Sequence, residues 1–144
     1  MDRIDLAVDV PPVTAADLSL PPPAEGSAEV AARVAAARQI QADRAEAAGD
    51  GVNAAPLNAR ADGAWLEQIV ALDAPAKALI ARAAEAGGLT ARGWTRTLRL
   101  ARTIADLEAA PAVRRVHVAE ALIYRRIAPG AEGMAEARAS VYGL

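Results

Sequence analysis

Fifteen of the 16 basic residues in this 144-residue chain are arginine, and four of them, Arg92, Arg96, Arg99 and Arg102, fall within a single short run. A guanidinium is permanently charged and forks two hydrogen bonds to phosphate oxygens, so an arginine in the right place stabilises charge on a transferring phosphoryl group. Arg92 falls in the first turn of a predicted helix, where the backbone N–H groups and the positive dipole end also draw an anion. Read on its own it is a solvated first-turn arginine, although a cation at that helix end is electrostatically unfavourable. Arg96, Arg99 and Arg102 can touch nucleic acid or a partner subunit. A row of that kind is more often a solvated face, with Arg102 paired to Asp106 at helical spacing. Arg3, on its residues alone, is a charge flanking a strand-like segment.

Other chemistries have little to draw on. There is no cysteine and a single histidine, His117, so disulfides and thiol nucleophiles are excluded and a zinc cluster or a Ser-His-Asp triad lacks ligands. No metal site is expected. Lys77 is the only lysine and stands outside any glycine-rich loop, nothing matches Gly-x-x-x-x-Gly-Lys-Ser/Thr, and no apolar strand ends in paired acids. His117 reads as a packing or capping residue, and Trp65 and Trp94 read as core anchors.

The elements that position the arginines follow from periodicity and punctuation. Gly87-Gly88 suits the end of one helix, and Thr90 stands where the N-cap of the next belongs. From there Trp94, Leu98, Ala101 and Ala105 share a side, with Thr97, Leu100, Ile104 and Leu107 beside it. Arg92, Arg96, Arg99, Thr103 and Asp106 fall opposite, and the helix runs to about Ala109 before Ala110-Pro111. Upstream, Ser27 is the expected cap of a helix reaching about Ala48, with Val30, Val34, Ala37 and Gln41 on its apolar face. Arg33, Arg38 and Arg44 lie off that stripe, and Gly49-Asp50-Gly51 closes it. Val52 to Arg60 is a loop in which Asn58 serves a turn or cap. Short helices follow from Asp62 to Ala71 and from Asp73, with Pro75 in the first turn, to Gly87. The last helix runs from Arg114 or Arg115 to Ile127, starts without a good cap, and ends at Pro129-Gly130. Ile4, Leu6, Val8 and Val10 alternate as in a half-buried strand, for which no partner strand appears downstream.

Composition fits this layout. The chain is 53% apolar, mostly alanine, with no phenylalanine and a net charge of −2, so small side chains and closely spaced helices must make the core. No run approaches membrane-spanning length and Met1-Asp2-Arg3 opens no signal segment, which reads as a soluble, cytoplasmic protein without a membrane partner.

Gly88-Leu89-Thr90-Ala91-Arg92-Gly93-Trp94, followed by Arg96-Thr97-Leu98-Arg99-Leu100-Ala101-Arg102-Thr103-Ile104-Ala105-Asp106-Leu107, resembles the C-terminal helical domain of magnesium-chelatase-like AAA+ ATPases of the competence-protein type. Asp2-Arg3-Ile4-Asp5-Leu6, Ser27 to Gln41, Leu57-Asn58-Ala59, His117 to Leu122 and Tyr124-Arg125 agree in order, so the likeness spans about residues 2–127. It implies an all-α fold, a compact, lid-like bundle of about five helices, behind a disordered or orphan-strand N-terminal segment. On that footing residues 1–24 are the end of an upstream core plus a proline-rich linker, poorly ordered alone. Residues 25–128 are then the lid domain and 129–144 a flexible tail. The resemblance further implies that Arg92 is a sensor-2-like arginine, both catalytic and contacting the nucleotide, and that Arg3 is arginine-finger-like. The chain by itself is expected to bind no cofactor, to be monomeric and not to hydrolyse ATP. ATP and Mg²⁺ are implied for the full-length protein. Its partners would be the upstream core and neighbouring subunits of a ring, a hexamer, with DNA as what a helicase-like motor moves. The alternatives are the lid of a true magnesium-chelatase motor subunit and a free-standing helical module that binds DNA or protein.

Overall fold

The computed structural model describes residues 4–8, 10, 12–15, 17–21, 25–49, 56–86 and 89–125. The expectations for Arg3, Gly87-Gly88, Gly51, Ile127, Pro129-Gly130 and the 129–144 tail lie outside them. Among the described residues the fold is all-α: α1 Ser27–Ala47, α2 Gly63–Ile69, α3 Ala74–Glu85, α4 Ala91–Leu107 and α5 Arg115–Tyr124, with 3₁₀ turns at Asp17–Ser19 and Asn58–Arg60. The helix α4 is the axis. It packs against α5, α1, α2 and the Asn58 turn, while α3 leans on α5.

Alanine sets how closely these helices meet. Ala61, Ala76, Ala101, Ala105, Ala119 and Ala121 are fully buried, and around them lie Trp65, Leu66, Ile69, Leu79, Ile80, Leu98, Val118 and Leu122. Trp94 packs on the edge of this cluster and is half-buried. The α2–α3 and α4–α5 loops are stapled by an isolated parallel bridge, Leu72 to Val113, in which Val113 N donates to Ala71 O at 3.0 Å and Asp73 N to Val113 O at 3.2 Å.

Caps fall largely where the sequence places them. Thr90 Oγ1 accepts from Gly93 N at 3.0 Å, and Asp73 Oδ1 accepts from Ala76 N at 2.7 Å ahead of Pro75. Two starts differ. The α1 cap is Gly26, not Ser27, because Glu29 reaches back and accepts from Gly26 N at 3.0 Å. The α5 start is capped after all: His117, three residues in, accepts from Arg114 N on Nδ1 at 3.0 Å. Because Nδ1 accepts, the ring proton sits on Nε2, which donates to Glu108 Oε2 at 2.9 Å.

The first helix departs from its expected stripe. Ala37 and Gln41 are buried, but Val30 and Val34 are exposed, since the N-terminal half of α1 runs beyond the bundle. Arg44, expected off the stripe, is on it: Ala37, Gln41 and Arg44 are spaced i, i+4, i+7 and face α4 together. At the far end of α4, Ala109 takes φ +53°, and Ala110 N donates to Ala105 O at 2.8 Å while Ala109 N donates to Asp106 O at 3.1 Å. That pairing is a Schellman turn made without glycine.

The alternating segment Ile4 to Val10 forms no strand among the described residues. Residues 4–8 lie along the α4–α5 end, where Ala7 N donates to Tyr124 O at 2.7 Å and Arg125 Nη1 to Ile4 O at 3.2 Å. Ile4, Leu6 and Val8 stay exposed.

Candidate functional site

The arginines of α4 have four different fates. Arg92 stands two residues after the Thr90 cap, in the first turn of α4, is exposed, and makes no hydrogen bond or ion pair among the described residues. The neighbouring Gly93 is buried, and a Cβ there would stand 3.3 Å from Thr90 Oγ1 and 3.6 Å from Arg125 Nη2, so glycine keeps the helix start close to the end of α5. Arg96 puts Nη1 2.8 Å from Asp5 Oδ1. That nitrogen is shielded from solvent yet not aligned to donate a hydrogen bond to any described residue. Arg99 donates from Nε to Ala61 O at 2.6 Å and stands 3.6 Å from Asp62, whose other oxygen accepts from Gly63 N. Arg99 is thereby committed to holding the start of α2 against α4.

Arg92, Arg96 and Arg99 line one recess of about 410 Å³ together with Ala91, Thr95 and Asp62. Three guanidinium groups, one unpaired and one in a solvent-facing pair, fit an anion with several oxygens, and Asp62 opposes it from the rim. Among the described residues no group of three or more His, Asp or Glu side chains converges as metal ligands would.

Arg102 does something else, and here the expectation of a solvated arginine face fails. Arg102 and Asp106 are buried, and they form the expected i, i+4 pair at 3.0 Å. Arg102 Nη2 also donates to Ala110 O at 2.6 Å and Nη1 to Pro111 O at 3.2 Å, carbonyls that the left-handed Ala109 turns back toward it. Asp106 was expected on the exposed side, but it is the hub: it accepts from Arg44, from Arg102 and, at 2.7 Å, from Asn58 Nδ2. Asn58 in turn accepts from Arg44 Nη1 at 3.2 Å, donates to Thr103 Oγ1 at 3.2 Å, and takes Gln41 Oε1 on its backbone N–H at 3.1 Å. Burial pushes the Arg102 guanidinium below its ordinary range, Asp106 acts to restore it, and Arg44 adds to the lowering. This network joins α1, the Asn58 turn, α4 and the α4–α5 loop. Its role is architectural.

Sequence reasoning singled out Arg92 and the Arg102–Asp106 pair, but missed Arg44 and Asn58 as members of the network. The available signal was Arg44 at i+3 from Gln41 and i+7 from Ala37. Arg3, the second expected catalytic residue, lies outside the described residues.

Among the described residues, five helices around a buried ion network, with an open arginine-lined recess at the start of the axial helix, make an all-α bundle consistent with a lid domain. The chain belongs to the magnesium chelatase, subunit ChlI C-terminal family, whose family model matches residues 24–125. It is 34% identical over 136 residues to the uncharacterised protein YifB of Salmonella typhimurium and, to the same degree, to that of Escherichia coli, covering 88% of this chain and 24% of each relative. It is 32% identical over 126 residues to the competence protein ComM of Haemophilus influenzae, covering 87% of this chain and 23% of the relative. The chain thus spans about a quarter of the length of the curated relatives it matches. No solved structure matches it significantly. It is the C-terminal domain type of the magnesium-chelatase-like proteins. Among the described residues no helix is long and apolar enough to cross a membrane.

Proposed function

We propose that this domain is the lid of a magnesium-chelatase-like AAA+ ATPase of the ComM type, closing over ATP held by an upstream core and presenting Arg92 to its γ-phosphate. The observation that carries this is the state of Arg92: an arginine in the first turn of a capped helix, against the helix dipole, with no partner among the described residues. A charge held in an unfavourable place and left uncommitted is explained by an anion that arrives from elsewhere. The recess fits the phosphate end of a nucleotide. ATP, when bound, supplies the transferring phosphoryl group; Arg92 neutralises and orients its oxygens. The Mg²⁺ ligands would come from the core.

The remaining parts of this reading rest on the family. Coupling of lid closure to motion of a hexameric ring, DNA remodelling as the work done, Arg3 as the finger offered to a neighbouring subunit and a cytoplasmic location belong to it. The test is ATP turnover by the domain joined to its nucleotide-binding core. Arg92→Ala is expected to lower it by about 10²-fold or more, as loss of one preorganised charge donor does; turnover within about twofold of the unaltered protein refutes the role.

A second reading, the lid of a metal-chelatase motor, has in its favour the name of the matching family, magnesium chelatase. Stimulation of ATP turnover by branched DNA favours the first. Turnover indifferent to DNA but dependent on a porphyrin-binding partner favours the second.

A further inference from the structure

Arg96 lines two recesses at once. One is the 410 Å³ recess it shares with Arg92 and Arg99, and the other, of about 250 Å³, is walled by Asp5, Leu6, Ala59, Leu100 and Thr103 as well as Arg99. In this structure its Nη1 is drawn to Asp5 on the second side. The pair is poor as such pairs go. Asp5 is two-thirds exposed, its side chain being 67% accessible, and Nη1 is shielded without a hydrogen bond to a described residue. Resting on the reading of Arg92 above, we infer that Asp5 is a stand-in for phosphate: Arg96 exchanges the Asp5 carboxylate for a polyphosphate oxygen, joins Arg92 on the anion, and lets go of the N-terminal segment.

Three observations carry this. The spacing of Arg92 and Arg96 is one helical turn, which places two guanidinium groups on the same rim. An exposed ion pair contributes little and is readily outcompeted, whereas a polyphosphate brings several charges and can take a bidentate fork. Among the described residues the segment that bears Asp5 is tied to the bundle by Asp5 to Arg96, Ala7 N to Tyr124 O and Arg125 to Ile4 O. Removing one loosens the other two. Asp62 is the opposing carboxylate in the Arg92 recess, and its contact with Arg99 tempers it. Phosphate engagement at the helix start would thus be reported to the stretch of chain that enters the domain.

The experiment is a titration of the ¹⁵N-labelled chain with tripolyphosphate at low ionic strength, followed by chemical shifts and by hydrogen exchange at the Ala7 amide. Saturation is expected to speed Ala7 exchange, and Asp5→Asn to tighten binding by about two- to fivefold, the range an exposed pair is worth. In an Arg96→Gln background the Asp5→Asn gain is expected to vanish. If Asp5→Asn still tightens binding there, only a repelling charge was removed and the exchange is wrong. Unchanged Ala7 exchange at saturation, or no binding to either the unaltered chain or Asp5→Asn, also overturns it. Arg92→Gln separates the two readings. If it weakens binding while Asp5→Asn has no effect, the Arg92 role stands and the exchange fails. If Asp5→Asn tightens binding and Arg92→Gln changes nothing, the exchange holds and the Arg92 role falls.

Discussion

Replacing Asp106 tests whether the domain is held by a buried charge and its acceptor geometry. Asp106→Ala leaves the Arg102 guanidinium, in a residue 1% exposed, with only the Ala110 and Pro111 carbonyls among the described residues. It also deprives Asn58 of its 2.7 Å acceptor and Arg44 of its ion pair. Removing one partner of a buried pair costs about 3–5 kcal/mol, a large share of the roughly 5–15 kcal/mol that a domain has. Asp106→Asn is the sharper perturbation because it keeps the shape. Both carboxylate oxygens accept: one faces Arg102 and Arg44, the other Asn58 and Arg44. Whichever oxygen becomes NH₂ therefore points a donor at donors. The asparagine variant is expected to lose about 3 kcal/mol or more, close to alanine. Urea unfolding of the 144-residue chain followed by circular dichroism reads this directly. With a slope of about 1.5 kcal/mol/M the midpoint falls by about 2–3 M, with the slope unchanged. An asparagine variant within about 1 kcal/mol of the parent would show that shape, not charge, fills this position, and the account of the network would be wrong.

The other predictions concern the ends of helices and the N-terminal turn. Ala109→Gly relieves a left-handed residue at φ +53° and is expected to stabilise by up to about 1 kcal/mol in the same urea assay, where a loss would refute the strain. Thr90→Ala removes the α4 cap and should cost about 1 kcal/mol, with Thr90→Ser close to neutral. Val34→Glu should fall within about 0.5 kcal/mol of the parent, because its side chain is exposed, whereas Ala37→Glu on the next turn forces a charge into the core and costs several times more. Asp17 accepts from the Thr14 hydroxyl and backbone N–H, which hold its carboxyl below the ordinary 3.8. Its folded value being depressed, the turn it makes persists above that range and is lost as pH falls through the lowered value. The Thr14 amide shift should accordingly titrate with a midpoint below 3.8.

Much of the architecture was legible because its signals are local. Thr90, Asp73 with Pro75, and the Trp65-Leu66-Ile69 stripe each declare an element within a few residues, and those elements form as read. The misreadings share a cause. Periodicity sorts residues by polarity, so Arg44 and Asp106 were placed outside, although they are 62 positions apart and neutralise each other inside. Asn58 is legible as a turn former but not as the donor to a carboxylate 48 residues away. At α5, a histidine does what Glu or Gln usually does at the third position, which propensity does not suggest. Arg92 was legible as a candidate, since its odd position against the dipole is itself a local signal.

The first helix has a mechanical consequence. Every residue from Ser27 to Ala36 is exposed, while Ala37, Gln41 and Arg44 anchor the other half to α4 and the Asn58 turn. Ten residues at 1.5 Å each make a rod about 15 Å long, clamped at one end. A tilt of about 10° at the clamp would carry its tip through roughly 2–3 Å, so the arm magnifies small rotations of the bundle. The clamp is the same Asp106 network that holds α4, so the beam and the arginine helix turn as one stiff piece.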